Sequence, residues 1–185
     1  MIGIPLGLIY GNTVEWLLHR YLLHGSGKSK KSFWNFHWHE HHRNAHRDGM
    51  VDVDYKKPFL RWHGPGKELV ALSATALAHL PLLPVAPFFT LTVQYCVFNY
   101  YRLHKKAHLN PEWAREHLPW HYDHHMGPSQ DANWCVTKPW FDLVMGTRIP
   151  YANTEKERET QQRQTRLRNR RKNIASGHPA AMPAT

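Results

Sequence analysis

Cysteine is nearly absent. The 185-residue chain holds two, Cys96 and Cys135, too few for a disulfide framework, which excludes a small stapled secreted scaffold and fits a reducing compartment. Cys96 lies in apolar sequence and reads as a packing residue. A signal peptide is lacking too: the N-terminal apolar segment has no basic n-region and no small-residue cleavage site, and it carries Glu15 inside. Acidic side chains are outnumbered 14 to 24 by lysine and arginine, for a formal net charge of +10. Such a balance suits nucleic acid, anionic lipid headgroups or basic cytoplasmic segments. The long apolar stretch favours the membrane readings, and no nucleic-acid partner is expected. A chain of this length makes one domain, with no room for a separate cofactor-binding domain. A redox enzyme of this size takes its electrons from another protein.

Also missing is an apolar run of unambiguous spanning length. Residues 2–18 are marginal against the roughly 20 residues a helical span needs. Residues 69–101 are too long for one straight span and short of the roughly 40 residues that two require. Pro81, Pro84 and Pro87 interrupt that stretch at its middle, so a hairpin of two short helices is expected. Arg61 and Lys67 precede it and Arg102, Lys105 and Lys106 follow it, which puts both ends on the cytoplasmic face. The expected fold is all-α: a membrane helical protein with a short N-terminal span, a proline-broken helical hairpin and a cytoplasmic, histidine-rich helical cap. Residues 1–153 form this domain. Residues 154–185 read as a charged tail, a solvated helix fraying into disorder, because charges alternate there without an apolar stripe.

Histidine is what the sequence has in excess. Sixteen are present, most of them in internal, interrupted clusters, and metal ligation is the first explanation to test. The first box is His19 and His24, five apart, or roughly 140° around an ideal helix, so His24 is expected where the helix ends at Gly25. The second is crowded: His37, His41 and His42 make one ligating face, and His39, His42 and His46 make another. The third, His104 and His108, puts two imidazoles one turn apart. The fourth, His121, His124 and His125, offers three from about one turn.

Counted with His37 and His41, the boxes supply ten imidazoles. A tetrahedral zinc site takes four, whereas two metals with about five imidazoles each keep an open position apiece. Imidazole suits iron, zinc or copper rather than magnesium or calcium, and a redox metal best explains so many ligands beside an apolar hairpin. Boxes before and after the hairpin can share one site only if the chain enters and leaves the membrane on one side. His39, His46, His117, Glu40 and Asp123 are candidate supporting groups or alternative ligands. His63, His79 and His178 lack partners at ligand spacing. Seven tryptophans, Trp16 and Trp134 among them, suit a membrane interface.

At these residues the chain resembles the fatty acid hydroxylase/sterol desaturase superfamily of membrane di-iron enzymes. The resemblance rests on H-x-x-x-x-H at His19/His24, H-x-x-x-H-H at His37/His41/His42, H-x-x-x-H at His104/His108 and H-x-x-H-H at His121/His124/His125. It is this pattern that favours His37 over His39. The segment from Asn133 through Asp142 to Gly146-Thr147 is similar to the family's closing signature. The resemblance covers about residues 12–150. It departs at Cys135, where a glycine-like residue is common, and in the extra His39 and His46. What it implies is a cytoplasm-facing centre of two irons, replaceable by zinc on purification, in the bacterial inner membrane or endoplasmic reticulum. The implied activity is dioxygen-dependent hydroxylation of a lipid-like substrate, with electrons from a b-type cytochrome or ferredoxin system. Lipid or sterol desaturation, carotenoid hydroxylation and non-catalytic metal binding in a membrane are the alternatives.

Overall fold

The computed structural model describes residues 1–58 and 62–175. Every regular element among them is helical. The first helix, α1 (Gly3–Leu17), continues without a break into a π-helix, Leu18–Ser26. A second π-helix, His37–His42, leads into α2 (Arg43–Arg47), and a 3₁₀ turn follows at Val53–Lys56. The hairpin is α3 (Gly64–His79), a 3₁₀ turn at Leu80–Leu82 and α4 (Pro87–Leu109). Then come α5 (Pro111–His117), α6 (Pro119–Met126), α7 (Trp140–Val144) and α8 (Glu155–Ala175).

Local chemistry explains most boundaries. The His63 ring accepts the Gly66 N–H at 3.2 Å to cap α3, which carries Pro65 in its first turn. Pro81 and Pro84 fall in the connection, and Pro87 opens α4, where its missing N–H removes no helical bond. Asn110 accepts from the Trp113 N–H at 3.1 Å to start α5. The N-terminal part of α8 is tied down by Glu157, which accepts two N–H groups of Arg115 at 2.9 and 2.7 Å and the Asn153 N–H at 2.7 Å. Residues 176–185 of the expected tail, His178 among them, lie outside the described residues.

Close approach between α1 and α4 depends on small residues. A Cβ at Gly7 would stand 2.7 Å from the Thr92 side chain, and one at Gly11 would stand 2.8 Å from Cys96 Sγ. These two helices and α3 form a three-helix layer whose far end is the Leu80–Leu82 turn.

One expectation needs correction. Among the described residues no helix is long and apolar enough to cross a membrane. At about 1.5 Å per residue, the 15 residues of α1 cover about 22 Å, against a hydrocarbon core of roughly 30 Å, and the π-helix that continues it carries His19, Arg20 and His24. The 23 residues of α4 are long enough, but its last third carries Arg102, Lys105, Lys106 and two box histidines. The N-terminal span and the hairpin are therefore present as helices without being full crossings. Two of the seven tryptophans differ from expectation: Trp16 and Trp134 are buried.

Candidate metal centre

Two π-helical turns build the first half of the site. In an α-helix, residues five apart diverge, but i→i+5 bonding winds the chain more loosely and brings them onto one face. His19 and His24 sit within the first such turn and His37 and His42 at the ends of the second. The helix does not end at Gly25, as the spacing suggested; it runs on to Ser26. His41, one residue before His42, faces the other way.

All ten box histidines are buried, and they sort into two groups. His19, His24, His37, His42 and His124 each bring a ring nitrogen within 4.8 Å of the others, and so do His41, His104, His108 and His125. The tenth, His121, joins the second group through His108, with the Nε2 atoms 3.1 Å apart. The groups adjoin, the His42 and His125 ring centroids lying 4.4 Å apart. Thus α6 divides its ligands: His124 to the first group, His121 and His125 to the second. The i, i+4 pair on α4 stays together.

Ring hydrogen bonds fix the tautomers. His19 Nδ1 faces the Trp134 carbonyl at 2.5 Å, His124 Nδ1 faces that of Ala132 at 2.6 Å, and His108 Nδ1 faces that of Met50 at 2.8 Å. A carbonyl only accepts, so each Nδ1 carries the proton and each Nε2 presents a lone pair. Those Nε2 atoms point inward. His19 meets His37 at 3.0 Å, and His42 meets His24, His37 and His124 at 2.9, 3.1 and 3.1 Å. His42 has at most one Nε2 proton to share among three neighbours. Lone pairs left facing one another at this distance repel unless a cation lies between them.

The spacing fits a metal. With metal–nitrogen bonds of about 2.0–2.1 Å, ligands at right angles lie ~3.0 Å apart and tetrahedral ones ~3.4 Å apart. The Nε2 contacts of 2.9–3.1 Å fall in the range spanned by ligands of one metal ion. Six buried histidine ring nitrogens among the described residues, His41 Nε2, His104 Nε2 and both nitrogens of His125 among them, have no hydrogen-bonding partner, an uncommon state for native polar groups. Burial, with neighbouring imidazoles adding to it, pushes the pKa of His37, His42, His121 and His125 well down, and burial lowers that of His124 to about 4. Neutral rings are the ligating form. The clusters can hold metal ions.

The supporting groups are mostly not the expected ones. His39 donates to the Lys28 carbonyl at 3.0 Å outside both clusters, and His117 stacks on Trp113 at the surface. Glu40 lies 4.0 Å from Lys67. His46 reaches only the His125 carbonyl, at 3.4 Å. Asp123 is buried but pairs with Arg148 at 2.7 Å and accepts the Ala152 N–H, orienting no ring. The rings are oriented instead by Asp52 on His41 Nδ1 at 2.9 Å and Glu68 on His104 Nδ1 at 2.5 Å. Asp131 is 3.4 Å from His24 Nδ1. Tyr55 donates to Glu68 at 2.6 Å, and its ring stacks on His108. Sequence reasoning missed these, because a lone Asp52 in irregular sequence and a Glu68 beside an apolar run carry no motif. His63 and His79 lie outside the clusters; the His79 ring donates to the Thr75 carbonyl and accepts from the Tyr10 hydroxyl.

The loop after α6 closes the site. Glu15 of α1 accepts the Val136 and Thr137 N–H groups and the Thr137 hydroxyl. Buried Asp142 accepts the Trp134 and Cys135 N–H groups at 2.9 and 2.8 Å. Asn133, at φ 57°, accepts the Ile149 N–H and the Arg148 guanidinium.

Beside the histidines lies a cavity of about 350 Å³ between α1, α3 and α4. Its wall includes His19 and His37 of the first cluster and His41 and His104 of the second; the remainder is largely apolar, with Leu18, Leu72, Val93 and Val97. Fold and site thus define an all-helical protein with two adjoining, buried histidine clusters that open on an apolar cavity. Compared with known protein families, curated proteins and solved structures, the chain matches none.

Proposed function

We propose that this chain is a membrane-embedded di-iron oxygenase that hydroxylates an unactivated C–H bond of a lipid-like substrate, taking its electrons from a separate carrier protein. The observation that carries the reading is the cavity. It touches histidines of both clusters and offers an otherwise mostly apolar wall, within the size range of about 300–1,000 Å³ common for small-molecule sites. A metal store or a structural site has no use for such a chamber.

The first cluster, His19, His24, His37, His42 and His124, would hold one iron, and His41, His104, His108, His121 and His125 the other. Bound iron supplies activation of dioxygen, chemistry that no side chain here provides. The protein's own part is positioning and exclusion of water. The Nδ1 contacts to Trp134, Ala132, Met50, Asp52 and Glu68 keep the rings aimed inward. The apolar walls place a substrate carbon against the cluster rather than a polar group. Supporting a bilayer setting, Ile4, Leu6, Ile9, Leu77, Leu91 and Phe98 are exposed on α1, α3 and α4, and the basic ends of the hairpin suit the cytoplasmic side.

The test is incubation of iron-loaded protein with lipid extracts, dioxygen and a reducing carrier system, followed by mass spectrometry. A product one oxygen heavier than its parent supports hydroxylation. A product two hydrogens lighter would move the reading to desaturation. No dioxygen-dependent product with a protein that holds both metals would return it to metal binding alone.

A further inference from the structure

The ten imidazoles are split evenly, but what stands behind them is not. In the second cluster two rings donate to carboxylates buried with them. Asp52, 1 % exposed, takes the His41 Nδ1 proton bond at 2.9 Å, and Glu68 takes that of His104 at 2.5 Å. Each carboxylate has its second oxygen engaged, Asp52 by the Asp54 N–H and Glu68 by the Tyr55 hydroxyl, so neither is free to swing away. In the first cluster, His19 and His124 rest on neutral peptide carbonyls. Among the described residues its one direct carboxylate, Asp131, is half exposed, stands 3.4 Å from His24, and is gripped by Lys28 at 2.7 Å. Buried Asp142 lies one peptide further out, spent on the Trp134 and Cys135 N–H groups and the Thr147 hydroxyl.

A carboxylate behind an imidazole makes the ring a stronger donor and offsets a cation's charge at short range. A peptide carbonyl orients the ring but brings no charge. Two divalent ions among neutral imidazoles leave the buried site strongly positive, and the two positions meet that cost unequally. We propose that the two metal positions are inequivalent, and that Asp52 and Glu68 are positioning residues that make the second cluster the tighter site, filled first and emptied last. This rests on the reading that both clusters bind metal.

Cobalt(II) alone, added to the metal-free full chain and followed by absorption and elemental analysis, tests it. The full chain should take up two ions with affinities at least roughly tenfold apart. His42→Ala should keep the tighter step and His108→Ala the weaker one. Asp52→Asn and Glu68→Gln should each weaken the tighter step by roughly ten- to a hundredfold and leave the weaker one in place, while Asp131→Asn leaves the tighter step unchanged. Far-UV circular dichroism checks folding, and if Asp52→Asn does not fold, Glu68→Gln, which keeps an oxygen for Tyr55, carries the test. Two equal affinities, or carboxylate variants that weaken both steps alike, overturn the inference and leave the dimetal reading standing. Fewer than two ions per chain overturns both.

Discussion

Met50 is buried at φ 75°, a conformation that costs a residue with a Cβ about 1 kcal/mol or more, and its carbonyl is the one that receives His108 Nδ1. Backbone strain is thus stored where a ligand must be aimed. Gly27 shows the opposite constraint. A Cβ there would collide with the Leu23 carbonyl, which cannot move, whereas a Cβ at Gly25 meets the Arg20 carbonyl at an ordinary 3.5 Å. Gly27→Ala is expected to lower the melting temperature sharply and to cost the first cluster its metal, with Gly25→Ala near wild type in both. The histidines themselves set a pH limit. Burial pushes the pKa of His19, His37, His42, His104, His121 and His125 well down and that of His124 to about 4, so below the unfolded value of about 6.5 the unfolded chain binds protons that the fold refuses. The histidines' own contribution to the stability of the metal-free protein is therefore full above pH 6.5 and falls as the pH drops from there toward 4. Thermal melts between pH 8 and 5 check it; a melting temperature that rises on acidification would contradict the assignment.

Among elements, the π-helices decide the site, and they were not legible. An H-x-x-x-x-H spacing on an ideal helix separates the rings, and nothing in the residues between His19 and His24 announces the looser winding. Sorting of the ligands was equally hidden, since it depends on His41 and His42 facing apart and on α6 serving both clusters. The hairpin was legible from Pro81, Pro84 and Pro87, because proline acts locally. Its boundaries were not: α3 begins at Gly64, capped by His63 inside sequence rich in breakers, and α4 runs on through the third box. The hold of α1 on the loop after α6 also escaped, being a contact across more than 120 residues. Replacing Glu15 by alanine orphans the Val136 and Thr137 N–H groups and should destabilise by roughly 2–4 kcal/mol, read from urea unfolding. Glu15→Gln, which keeps one acceptor oxygen, should lose less. Equal losses would assign the effect to charge instead of acceptor geometry.

At the scale of the whole molecule, one end carries exposed apolar side chains around the Leu80–Leu82 turn and the other carries the histidines, with the cavity between them. The uneven charge pattern made this division readable in the sequence; the want of a full crossing among the described residues was not, because the apolar part of α4 shares one helix with Arg102, Lys105, Lys106 and two box histidines. If the apolar end enters lipid, the chain should sediment with vesicles. Leu80→Asp combined with Val85→Asp, both at exposed positions, should release it while leaving its metal content intact. Sedimentation unaffected by the pair would move the contact elsewhere on the surface.

We propose that the ten histidines hold two metals, five each. Elemental analysis of the purified full chain, loaded anaerobically with iron(II), tests it most directly when run beside His42→Ala and His108→Ala. About two irons per chain are expected, and about one in each variant. One iron or none in the full chain, or a content that neither substitution changes, would contradict it.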